Sequence, residues 1–133
     1  MKKRISLIIV ITLISFSKNI FAADCSDLNG HWKGQLGEIY VESMLDVQGV
    51  SKLTLQTPRS FKAINGIRMQ CQIKDGMPNF WFHFRENNDR GTGWYFELEA
   101  QAELNQANEL KVNLFQYRYK SGPSGSGTGI LHH

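Results

Sequence analysis

Apolar and polar residues alternate with a period of two along most of this chain, and the clearest run lies between Asn79 and Leu104. Phe80, Phe82 and Phe84 alternate with Trp81, His83 and Arg85, the spacing that sends successive side chains to opposite faces of a strand. Beyond a polar stretch, Trp94, Phe96, Leu98, Ala100, Ala102 and Leu104 alternate with Tyr95, Glu97, Glu99, Gln101 and Glu103. The linking Asn-Asn-Asp-Arg-Gly tolerates the backbone angles of a tight loop, so the two runs predict a β-hairpin. With Phe84 opposite Trp94, Phe82 faces Phe96 and Phe80 faces Leu98. A two-stranded hairpin cannot bury such a face alone, so more sheet is expected around it.

The flanking sequence supplies it. A turn at Asp27–Gly30 leads into a short strand centred on Trp32. Ile39, Val41, Leu45 and Val47 then alternate with Tyr40, Glu42, Met44 and Asp46, and Gln48-Gly49 turns the chain. Leu53 and Leu55 mark a further strand, ended by Pro58, which cannot donate to a ladder. Phe61 to Ile64 reads as a short strand, and Asn65-Gly66 as a two-residue hairpin turn. Ile67, Met69, Cys71 and Ile73 follow on one face. After Leu104, a turn at Asn105–Asn108 leads to Leu110, Val112 and Leu114. Ser121 to Gly127 resembles a linker with nothing after it to link, and is better read as a glycine-rich loop before a final strand, Thr128–His133. No stretch keeps helical spacing for more than a turn. The pattern predicts an all-β domain, a small antiparallel up-and-down β-barrel of about eight strands.

The N-terminus falls outside that pattern. Lys2, Lys3 and Arg4 precede an apolar run, Ile5 to Phe16, then a polar break and Ala22-Ala23. This predicts a bacterial Sec-type signal peptide over 1–22, cut after Ala22 or one residue later. The run is too short to span a bilayer comfortably. Asp24 stands where a lipoprotein cysteine needs a small neighbour, so Cys25 is not expected to carry a lipid anchor. Residues 23–133 then form one periplasmic or secreted domain. Losing Lys2, Lys3, Arg4 and Lys18 turns the formal charge from +3 to −1, eleven cations against twelve carboxylates. A near-neutral domain has no electrostatic footprint for nucleic acid or an anionic membrane. Cys25 and Cys71, the only cysteines, meet an oxidising compartment with no CxxC or Cys/His cluster nearby, so one disulfide is expected.

Cys25, Leu28, Gly30 and Trp32 lie in a short segment that resembles the first strand of the calycins, the lipocalin and avidin-like barrels. There a Gly-x-Trp opens an up-and-down barrel and the tryptophan plugs one end. Small periplasmic protease inhibitors built on the same kind of barrel begin in a similar way. The resemblance implies a structural role for Trp32 and, as in lipocalins, a cation from the last strand lying across it, for which Arg118 and Lys120 are the candidates. No biotin-site pattern follows later in the chain, so that ligand is not implied.

Chemistry is sparse. Gly122 to Ser126 lacks the second glycine and the helix of a nucleophile elbow, and Gly125-x-Gly127-x-Gly129 lacks the strand and helix of a phosphate loop. Glu97, Glu99 and Glu103 alternate as the solvated side of a strand does. His132 and His133 are adjacent, point to opposite faces and sit at a terminus expected to fray. Neither an enzyme, a metal site nor a cofactor is expected. Binding is the better expectation. Trp81, His83 and Tyr95 point away from the apolar face. If Leu104 faces Leu110 without interruption, Phe115, Tyr117 and Tyr119 join them, and Gln116 and Arg118 turn inward to line a barrel lumen. One β-bulge near Asn113 would instead return Phe115, Tyr117 and Tyr119 to the core. The expected function is an exported binding protein holding a small, partly apolar ligand in or on the barrel. The alternative is an inhibitor or immunity-type protein that meets an extracytoplasmic protein through an exposed aromatic face.

Overall fold

In the computed structural model the described residues are 23–46, 49–87 and 95–133. The expected leader, Val47, Gln48 and Trp94 lie outside them. One turn of 3-10 helix, Cys25–Leu28, opens the domain. Asp24 caps it by accepting from the Ser26 N–H at 2.8 Å, while Asp27 accepts from the Asp24 N–H at 2.9 Å. Strands follow: β1 (Gly30–Leu36), β2 (Ile39–Asp46), β3 (Gly49–Gln56), β4 (Phe61–Arg68), β5 (Gln70–Lys74), β6 (Met77–Asn87), β7 (Tyr95–Leu104), β8 (Leu110–Tyr119), β9 (Ser124–Ser126) and β10 (Gly129–Leu131).

All pairings are antiparallel, and the meander divides into two sheets, β1-β2-β3-β4 and β10-β8-β7-β6-β5, with β9 on β8. At one seam Lys33 and His132 exchange two backbone hydrogen bonds of 2.8 Å, joining β1 to the chain just after β10. Glycine permits this approach. A Cβ on Gly34 would stand 2.6 Å from the Ile130 carbonyl oxygen, and one on Gly127 only 2.2 Å from that of Leu36. The glycine-rich stretch is thus a packed crossing and not a linker. At the other seam β4 runs through Met69 into β5, and the Lys62 ammonium meets Glu86 at 2.8 Å.

The alternation sorts the faces as expected. Phe80, Phe82, Phe96, Leu98, Ala100 and Ala102 of the second sheet are buried against Ile39, Val41, Leu53, Leu55 and Ile64 of the first. Cys25 and Cys71 form a disulfide, tying the 3-10 turn to β5, a bond that fits an oxidising compartment. Among the described residues no helix is long and apolar enough to cross a membrane.

Several expectations need correction. Phe84 pairs with Leu98 and Phe82 with Ala100, so β7 is displaced by four residues from the predicted register. The shift is even, so each side chain keeps its face. Asn65-Gly66 is not a hairpin turn. β4 passes through it, and Gly66, at φ +69°, resets the alternation so that Ile64 and Ile67 both point inward. Neither Arg118 nor Lys120 covers Trp32, since both are exposed. His133 lies there instead, ring centres 3.8 Å apart, and the Trp32 indole donates to the Leu28 carbonyl at 2.8 Å. The terminus is therefore held and not frayed.

Candidate functional site

β8 decides which residues the outer surface offers. Gln101 pairs with Leu114 but Ala102 with Val112, leaving Asn113 as an extra residue. This bulge flips the phase of everything beyond it. Phe115 and Tyr117 are buried, and Tyr119 is half-buried with its ring 4.8 Å from Phe96. Burial raises the Tyr119 pKa, with smaller contributions from Tyr117 and Glu86. Tyr117 and Tyr119 are thus removed from the expected recognition surface and belong to the core. Gln116 and Arg118 face solvent, not a lumen.

Among the described residues the space between the sheets is nearly filled. Its cavity is about 20 Å³, lined by Val41, Leu53, Phe82, Ala100 and Phe115 with Ser43 as a polar neighbour. That suits roughly one water, whereas ligand pockets run to about 300–1,000 Å³.

The outer face of the second sheet is the richer surface. In register across β5, β6, β7 and β8 lie Gln70, Trp81, Gln101 and Leu114. The next row holds His83, Glu99 and Gln116, and the next Arg85, Glu97 and Arg118. Trp81 is 36% exposed. The Glu97 carboxylate meets His83 Nε2 at 3.2 Å and Arg118 Nη2 at 2.7 Å. The His83 hydrogen bond is the largest influence and lowers its pKa below the usual glutamate range; burial pushes next in the opposite direction, and Arg118 adds to the lowering. Glu99 lies 4.0 Å from the same His83 nitrogen. The Arg85 guanidinium stacks 4.3 Å over the Tyr95 ring, a cation–π contact. Glu97, Glu99, Gln116 and Arg118 border a shallow recess of about 190 Å³.

The structure therefore gathers Trp81, His83, Tyr95 and Arg118 on one face and excludes Tyr117 and Tyr119. Arg85, Glu97, Glu99, Gln101 and Gln116 complete it. Their sequence signal was the run of carboxylates on β7 opposite His83 and Arg85 on β6, a cross-strand pairing of opposite charge. A carboxylate held by the Arg118 guanidinium and hydrogen-bonded to His83 is a weak proton acceptor, so this cluster positions groups more readily than it transfers protons. Among the described residues no group of three or more His, Cys, Asp or Glu side chains could hold a metal ion. No protein-family model, curated protein or solved structure matches this chain.

Proposed function

We propose that this is an exported, periplasmic or secreted, binding protein whose ligand is taken on the outer face of the second sheet. The observation that carries the reading is the contrast between a cavity of about 20 Å³ inside and an organised outer surface around Trp81, which is 36% exposed. The basic, apolar leader and the disulfide support export. Trp32 opening β1 and the sequential strand order support the calycin resemblance. Committed carboxylates and the absence of a nucleophile motif support binding over catalysis.

Trp81→Ala tests the reading. Its unfolding midpoint in urea should stay close to wild type, a loss under about 1 kcal/mol as for surface changes. An immobilised wild-type column should retain a component of extracytoplasmic extract, whether protein or glycan, that the variant column lets through. Equal retention by both columns, or by neither, would sink the proposal.

A further inference from the structure

We infer that this face binds a neutral oligosaccharide laid across Trp81; the inference rests on the reading of the face as the recognition surface and names its ligand. The first argument is charge. Arg85, Lys111 and Arg118 stand against Glu97, Glu99 and Glu103, and most are engaged within the face. Arg118 and His83 hold Glu97, Lys111 lies 3.9 Å from Glu103, and Arg85 lies on Tyr95. In the rows beside Trp81 the charges thus balance three against three, which favours no charged partner there.

The second argument is what remains uncommitted. The amides of Gln70 and Gln101 flank Trp81 on the neighbouring strands, with Gln116 one row further. All three are exposed and make no side-chain hydrogen bond to the described residues. An amide both donates and accepts, as a sugar hydroxyl does. A half-exposed indole presents a negative π-face, suited to the C–H face of a pyranose ring. Four strands at roughly 4.8 Å spacing make the Gln70–Leu114 row roughly 14 Å wide, the length of a short oligosaccharide. A protein partner fits less well, because stable interfaces centre on a cluster of anchors free to insert into the partner, and here Trp81 is the exposed aromatic while Tyr95 is half-buried under Arg85 and Leu114 is half-buried.

Calorimetric titration of the disulfide-intact protein with cellotetraose and with chitotetraose tests the inference. Saturable one-to-one binding of either sugar is expected. It should weaken about tenfold or more in Trp81→Ala and several-fold in Gln101→Ala, and should be unchanged in Phe61→Ala, which alters an exposed ring on the first sheet. If Trp81→Ala does not fold, Gln70→Ala and Gln101→Ala decide. No saturable binding of either sugar, or binding indifferent to the variants on this face, overturns the inference. If in that case the Trp81-dependent column still retains a protein, the recognition face stands and only its ligand class falls.

Discussion

Phe82 and Glu97 lie on opposite sides of the second sheet and answer to different forces. The Phe82 ring is 6% exposed and lines the small space between the sheets. Phe82→Ala would leave an unfilled volume that the Ala100 opposite is too small to occupy. A loss of about 3–5 kcal/mol is expected in urea unfolding; a loss near that of a surface change would mean the core is not where the structure puts it. Glu97 acts through charge. Because its pKa is lowered in the folded state, first by His83 and then by Arg118, the stabilisation is present above the ordinary carboxylate pKa of about 4.3. It is lost as pH falls through the lower, folded value. Glu97→Gln should therefore be less stable than wild type near about pH 7, with the gap closing as the pH drops below about 4. A gap that widened in acid would reverse the sign and refute the assignment.

At the scale of the element, single residues reset whole strands. The extra Asn113 sends Phe115 and Tyr117 inward, and Gly66 does the same for Ile67 after Ile64. The crossing of β1 and β10 depends equally on residues without side chains. A methyl group on Gly127 would meet the Leu36 carbonyl at 2.2 Å, and that oxygen is backbone and cannot swing away. Gly127→Ala should cost about 1–3 kcal/mol and raise amide exchange at Lys33 and His132, whose mutual hydrogen bonds close this seam. Unchanged exchange there would show that the crossing tolerates more room than its geometry implies.

For the whole molecule the disulfide is the main long-range restraint, joining residues 46 apart in sequence and pinning the opening turn to β5. Replacing Cys25 and Cys71 together by Ser should lower stability by about 2–5 kcal/mol, chiefly by freeing the unfolded chain. Denaturant midpoints of the double variant against wild type provide the measurement. Equal midpoints would mean that Trp32, Leu28 and His133 hold this end unaided.

A period of two and the cysteine count are enough to specify an all-β antiparallel meander, the Cys25–Cys71 pair, and the faces of β6 and β7. Face survives any even register error, so the alternation puts Phe80, Phe82, Phe96 and Leu98 inside although the true pairing lies four residues from the one it predicts. The same alternation points Trp81 and His83 outward, but it turns Arg118 inward, because it assumes a continuous phase along β8 that the bulge breaks. The register, the bulge at Asn113, the passage of β4 through Asn65-Gly66 and the stacking of His133 on Trp32 are visible in the folded molecule alone. Each depends on pairing between distant segments, where burial of apolar surface outweighs a local turn preference. The small inter-sheet cavity among the described residues follows from the same cause. Phe115 and Tyr117, once turned inward, add their rings to the buried core.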